Sequence, residues 1–163
     1  MPHDFVQRAV ARPKCRYYED FEPGREFIHH WGRTINEGDN SLFTTLTMYF
    51  NPMCFNAEFA KAHGHPAIVV NPFLVFTTVF GLSVQDLSES GGAFLGVEGL
   101  EFGVSVHPGD TLEARSTVVD RRPSSTHAGM GIATWHTRGF NQRGEKVVDF
   151  KRTNMIARRE RAA

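Results

Sequence analysis

Asn71-Pro72-Phe73-Leu74-Val75-Phe76-Thr77-Thr78-Val79-Phe80-Gly81-Leu82-Ser83-Val84-Gln85-Asp86-Leu87 is the stretch whose reading decides the fold. Asparagine is a strong N-cap and proline suits the first helical position, so Asn71-Pro72 opens a helix. Phe73, Leu74, Val75, Phe76, Val79, Phe80, Leu82, Val84 and Leu87 then cover nearly every face. A helix apolar all round must be enclosed by other structure. Its roughly 16 residues span about 24 Å at about 1.5 Å per residue, enough to lie along a curved sheet. The apolar run from Ala67 to Val84 is also the best candidate for a membrane span. Asn71-Pro72, Thr77-Thr78 and Gly81 interrupt it. A span needs about 20 predominantly apolar residues, so a buried core helix is predicted and no membrane partner.

Outward from this helix the chain punctuates itself. Gly91-Gly92 ends the helical region. Four strands are then predicted over residues 93–102, 111–121, 131–140 and 146–157. They are separated by His107-Pro108-Gly109-Asp110, Arg122-Pro123-Ser124-Ser125 and Asn141-Gln142-Arg143-Gly144. Upstream, Tyr17 to Gly24 is an aromatic–acidic lead-in ending in a Pro-Gly turn. Residues 26–35 read as a strand with Phe27, His29, Trp31 and Arg33 on one face. Ile28, His30 and Thr34 take the other, so the adjacent histidines do not share a metal. Thr34 and Asn36 are rival caps for a helix carrying Leu42, Phe43 and Leu46, with Tyr49 or Phe50 in phase. Glu37 and Asp39 fit its first turn as dipole partners. Pro52 breaks that helix, and Asn56 caps a short one containing Phe59. His63 and His65 sit in the loop before Pro66. A bare H-x-H without Asp, Glu or Cys at ligand spacing predicts turn residues rather than a metal site. One strand, then helices, then four strands implies an α+β class. The expected architecture is a single hotdog domain, an antiparallel sheet wrapped around a central apolar helix. The expected divisions are an N-terminal arm at 1–16, the domain at 17–157 and a basic C-terminal tail at 158–163 containing Arg158, Arg159 and Arg161.

The 163 residues suit one domain with a sizeable core. Lys plus Arg and Asp plus Glu stand at 18 each. This balance gives no electrostatic case for nucleic acid or an anionic membrane. The two cysteines, Cys15 and Cys54, form no framework of disulfides or zinc ligands. With no basic-then-apolar signal pattern at Met1-Pro2-His3-Asp4, a reduced, cytoplasmic protein is expected.

Several pieces in order carry a family resemblance. They are Tyr18-Glu19-Asp20-Phe21 with Pro23-Gly24, Arg33 to Asn40, Asn51-Pro52, Ala57-Glu58-Phe59-Ala60 and Val70-Asn71. Gly81-Leu82-Ser83-Val84, Pro108-Gly109-Asp110-Thr111-Leu112 and Arg138-Gly139-Phe140-Asn141-Gln142 follow. Together the chain resembles the MaoC-like dehydratases, which include R-specific enoyl-CoA hydratases and mesaconyl-CoA hydratases. The last pieces lean toward the mesaconyl-CoA side. The resemblance implies addition of water to, or its removal from, an acyl thioester. In the family a carboxylate and an imidazole activate the water, and a backbone amide at the start of the central helix steadies the thioester oxygen.

Three departures follow from the same resemblance. In the family pattern D-x-N-P-x-H, Tyr49 stands at the aspartate and Cys54 at the histidine. Pro72, which has no N–H, stands where glycine is frequent, leaving the Phe73 amide as substitute donor. Glu101 occupies a neighbourhood where a basic residue meets CoA. The candidate catalytic residues are therefore Tyr49, Cys54, Asn51 and Asn71. The candidate substrate-binding residues are Phe73, Pro72, His65 and Asp39. A base would come from Asp39, Glu58, His63 or His65. Three functions stay open: an altered hydro-lyase, a non-catalytic acyl-thioester binder, and a thioesterase-like enzyme using Cys54 as nucleophile. No cofactor or metal is expected. The small-molecule substrate would carry CoA or a carrier-protein pantetheine. The resemblance implies a homodimer or higher homo-oligomer with sites at its interface.

Overall fold

Valine and glycine set the closest approach of helix to sheet. A Cβ on Gly139 would lie 2.6 Å from Val79 and 2.8 Å from Val148, so only glycine fits beneath the helix there. The computed structural model describes residues 15–159, so most of the expected arm and part of the expected tail fall outside the described residues. Its helices are α1 (Glu37–Leu46), α2 (Ala57–Ala62) and α3 (Pro72–Leu87). Single 3-10 turns form at Tyr18–Asp20 and Pro52–Cys54. The strands are β1 (Glu26–Ile28), β2 (Arg33–Thr34), β3 (Phe94–Phe102), β4 (Thr111–Pro123), β5 (Met130–Asn141) and β6 (Lys146–Ala157). They make one antiparallel sheet in the order β1-β4-β5-β6-β3, with β2 also on β4. Strict alternation along β5 buries Ala133, Trp135 and Thr137 on the helix side. Among the described residues no helix is long and apolar enough to cross a membrane.

The α+β architecture and the four long strands match the sequence expectation. Three details differ. Helix α3 buries Val75, Val79, Ser83 and Leu87 against the sheet, but Phe73, Thr77, Gly81 and Gln85 form an exposed stripe. One sheet layer covers one side of a helix, and residues four apart share the side left open. The strand expected over 26–35 divides into β1 and β2. His29 N still donates to Ala114 O at 3.1 Å, but Trp31 turns outward to bond Gln85. Helix α1 stops at Leu46, short of Tyr49 and Phe50, because Met48 takes a left-handed backbone (φ +54°). Asn36 rather than Thr34 is its cap, exchanging bonds with Asp39 at 2.8 and 3.1 Å. At the far end of the fold, Arg158 and Arg159 pair with Glu19 and Asp20, so these two tail cations pack on the Tyr18–Asp20 turn.

A buried polar strut joins β1 to the C-terminal end of α3. His29 Nδ1 donates to Asp86 Oδ2 at 2.8 Å, since a carboxylate only accepts, and Nε2 accepts from Ser116 Oγ at 2.9 Å. Ser116 also meets Thr137 Oγ1 at 2.8 Å. The order Ser–His–Asp resembles a nucleophilic triad, but Ser116 is 1% exposed, so no substrate reaches its oxygen. Burial lowers the His29 pKa from the ordinary 6.5, outweighing the pull of Asp86; Arg152 and His30 push the same way. Burial also lowers His107. Both rings are thus neutral in the fold to lower pH than in the unfolded chain. Their stabilisation is complete above 6.5 and is lost as pH falls through the lowered folded values. Urea unfolding between about pH 7.5 and 5 is expected to show stability falling by up to about 1.4 kcal/mol per pH unit for each proton. His29→Gln is expected to be less stable at neutral pH and to have a shallower acid limb.

Candidate active site

Asn40, fully buried on α1, organises the region. Its Nδ2 donates to Cys54 O at 2.8 Å and to Val69 O at 3.2 Å, and its Oδ1 accepts from Asn71 N at 2.8 Å. One carboxamide therefore fixes three stretches of chain. Val69 N bonds Met53 O at 2.9 Å and Val70 N bonds Val106 O at 2.8 Å, which draws in the connection from β3 to β4. These segments enclose a cavity of about 250 Å³. Tyr49, Asn51, Cys54 and His65 line one part, and Pro72, Val75 and Val147 line its helix and sheet side. Phe102 to Val106 form the remaining wall.

Five of the eight candidate residues line this cavity: Tyr49, Asn51, Cys54, His65 and Pro72. The other three do not. Asn71 is buried and structural: its Oδ1 accepts the Phe73 amide at 3.0 Å, and its Nδ2 approaches Thr44 Oγ1 at 3.4 Å. The Phe73 amide, expected as a donor to substrate, is thereby committed. Leu74 N and Val75 N are committed to Asn71 O. With Pro72 lacking an N–H, the first turn of α3 presents no uncommitted amide. The Phe73 ring instead stands edge-on between Tyr49 at 5.9 Å and Phe102 at 6.0 Å. Asp39 lies in a separate groove with Arg33, Leu42 and Leu46. The Asn36 amide, and then Arg33, hold its carboxyl below the usual range, which makes it a poor base.

Of the four base candidates only His65 reaches the cavity. Glu58 pairs with Lys61 in solvent, and His63 bonds Phe59 O and stacks on that ring at 4.1 Å. Cys54 is 1% exposed, and burial pushes its thiol pKa up, so the nucleophilic thiolate is disfavoured. Tyr49 Oη has no protein hydrogen-bond partner among the described residues. Asn51 Oδ1 accepts Met53 N at 3.1 Å, which leaves its Nδ2 as donor. Among the described residues the cavity thus combines apolar walls, neutral donors and one imidazole, and no carboxylate lines it. Carboxylate–imidazole couples do occur elsewhere: His29–Asp86 in the core and His136–Asp149 in a groove with Glu98, Glu101 and Lys151. Glu101 therefore belongs to that groove and not to the cavity wall.

Sequence reading missed Asn40 as the organiser and His107 behind His65. The two rings meet with His107 Nε2 at 3.4 Å from His65 Nδ1. His107 reads in sequence as the first residue of a His-Pro-Gly-Asp turn, which it is: Asp110 N donates to His107 O at 3.0 Å. A contact across 42 residues leaves no local signal.

The chain matches the profile described as Mesaconyl-CoA hydratase over residues 3–163. It is 38% identical over 159 residues to the Mesaconyl-CoA hydratase of Haloarcula hispanica, covering 97% of this chain and 44% of that protein. A MaoC domain protein dehydratase from Chloroflexus aurantiacus superposes with a TM-score of 0.86 at 35% identity, over 95% of this chain and 44% of the other. A Mycobacterium tuberculosis protein described as having a double hotdog fold, 24% identical, shares the fold at a TM-score of 0.78 over 88% of this chain and 44% of its own. The chain spans less than half the length of the curated relatives it matches.

Asn40→Ala would strand Asn71 N, Cys54 O and Val69 O. Each buried polar group left unpaired costs about 1–3 kcal/mol, so a total loss of about 3 kcal/mol is expected with partial relaxation. Urea denaturation measures it, and a loss below about 0.5 kcal/mol, the range of an ordinary surface substitution, would refute the organising role.

Proposed function

The chain belongs to the mesaconyl-CoA hydratase family, and from that premise we propose that it is a MaoC-like hydro-lyase that adds water to, or removes it from, the double bond of an acyl thioester. The observation that carries the reading is His65, among the described residues the only imidazole lining a largely apolar cavity whose other polar groups are neutral donors. In the hydration direction His65 takes the proton of a water as its oxygen bonds the β-carbon, and a proton is returned to the α-carbon. Charge developing on the thioester oxygen needs donors, and the helix amide is already spent on Asn71. The Tyr49 hydroxyl and the Asn51 carboxamide take that role. A phenol hydroxyl is a sound hydrogen-bond donor. Cys54 serves as apolar wall, which sets aside the thioesterase-like reading. The acyl group is carried by CoA or a carrier-protein pantetheine, and no cofactor takes part in the proton chemistry.

One observation favours a second reading, a non-catalytic acyl-thioester binder: among the described residues no carboxylate lines the cavity, and the Phe73 amide at the helix start is capped. For assembly we infer a homodimer through the β3 edge. Phe94, Leu95 and Phe102 are 55%, 49% and 44% exposed there, beside the open stripe of α3. An apolar strand edge of this kind invites pairing with a second copy. Relatives more than twice as long leave room for a second unit of this size.

Incubation with mesaconyl-CoA and unbranched short enoyl-CoAs, followed by loss of the enoyl absorbance, tests the activity. Turnover is expected. His65→Ala should lower kcat/KM by about 10²–10⁴ and Tyr49→Phe by about 10²–10³, with Cys54→Ala within a few-fold of wild type. Binding by calorimetry without turnover would favour the second reading, and neither binding nor turnover would overturn both. Sedimentation should give twice the 18.3 kDa chain mass, and Leu95→Lys should shift it toward one chain.

A further inference from the structure

We propose that His107 is a positioning residue for this site, and that it and His65 form an imidazole couple that holds one proton between them in place of a carboxylate–imidazole pair. The proposal rests on the hydro-lyase reading above and deepens it. His107 Nε2 faces His65 Nδ1 at 3.4 Å, so a single N–H fits between the rings. That leaves Nε2 as the His65 nitrogen for chemistry in the cavity.

The backing ring is anchored more firmly than the ring it backs. His107 N donates to Asp110 Oδ2 at 3.0 Å, and Asp110 Oδ1 is held by Gln142 at 2.7 Å and Arg143 at 2.9 Å. Gly109 N donates to Ile35 O at 2.7 Å, and the neighbouring Val106 O accepts from Val70 N. His65, by contrast, sits on the loop ahead of α3, with its own N bonded to Ala60 O at 3.1 Å. A fixed ring behind a loop-borne ring sets the orientation of the second.

The neutral couple has two forms. When His65 Nδ1–H donates to His107, His65 Nε2 is bare and accepts a proton. When His107 Nε2–H donates to His65, His65 Nε2–H is a donor. In hydration the water O–H breaks as oxygen bonds the β-carbon, and its proton goes to His65 Nε2. The double-bond electron pair moves toward the thioester oxygen. While His65 is cationic its Nδ1–H donates to His107, which spreads the charge over two rings. Return of the Nε2 proton to the α-carbon restores the neutral couple, and no proton is gained or lost overall. Two cationic rings at this distance repel, so charge on His65 disfavours charge on His107. The groups facing it are Asp110, which favours charge on His107, and Arg143, which opposes it. Tyr49 and Cys54, both neutral, share the cavity with His65.

Imidazole ¹⁵N NMR across a pH series tests the couple without requiring turnover. In wild type the His65 and His107 nitrogen shifts should move together across the series. In His107→Phe the His65 shifts should lose that coupled response. The same variant should lower kcat about 10–100-fold with KM little changed and move the acid limb of the pH–rate profile. His107→Gln, which keeps a hydrogen-bonding partner but cannot be protonated, should share the moved limb and supplies the test if the phenylalanine variant does not fold. If His65→Ala abolishes turnover while neither His107 variant alters the His65 titration or the pH profile, the couple is refuted and the hydro-lyase reading stands. Coupled titration with no turnover of any enoyl thioester retains the couple and refutes the hydro-lyase reading.

Discussion

The carboxamide of Asn40 is the constraint on which the cavity depends. All of its hydrogen-bonding partners are backbone groups of segments remote from it in sequence: Cys54 O, Val69 O and Asn71 N. Thr44, four residues on and so on the same side of α1, meets the Asn71 side chain. Asn40 and Thr44 are the buried residues of this helix. The inner side of α1 is therefore polar and is used to hold neighbouring chain. A polar contact has a direction that an apolar one lacks, so it fixes the position of a loop more narrowly than packing would. The 3-10 turn, the loop bearing His65 and the start of α3 are registered against one another by that means.

The same network decides which chemistry is left. Asn71 caps α3 in the strict sense, taking the Phe73 amide with its Oδ1 and the next two with its carbonyl oxygen. A helix start satisfied in this way has no donors to offer a substrate. Any stabilisation of charge must come from elsewhere in the lining, whose polar side chains among the described residues are those of Tyr49, Asn51, His65 and Ser105, with the buried Cys54 thiol. Tyr49 and Cys54 point the same way. A carboxylate and an imidazole make a cavity polar and chargeable, whereas a phenol and a buried thiol make it neutral. Taking a carboxylate out of water costs several kcal/mol unless donors surround it, and this cavity lacks the helix amide that would help.

Much of the fold was legible because it is written locally. The alternation of β5 and β6, the Pro-Gly-Asp turn into β4 and the Asn-Pro start of α3 each state their conformation within a few residues. What failed was non-local. Residues 26–35 alternate well enough for one strand, but Trp31 finds a partner on α3 and the chain departs from β4. The apolar circumference of α3 correctly demanded cover, yet one chain supplies only one side. At the site, the segment from Tyr49 to Cys54 was legible from its likeness to a motif, and His65 from its place in the following loop. The role of Asn71 could not be read, because capping and substrate contact call for the same residue type. Asn40 and His107 were missed because their partners lie 14 to 42 residues away.

The cavity sits where an anchored frame meets an uncovered surface. On one side His107 and Asp110 are locked to the start of β4 by Arg143, Gln142 and Ile35. On the other, the exposed ring of Phe73 touches both Tyr49 and Phe102, and Phe102 ends the outer strand β3. A body seated along that edge meets Phe73 and Phe102 directly, and Tyr49 through Phe73. The His107 ring is thus fixed from within the fold, while Tyr49 is braced by a ring at its surface. In the proposed reaction the firmer support therefore goes to the ring that orients His65, and the looser one to the donor side of the cavity.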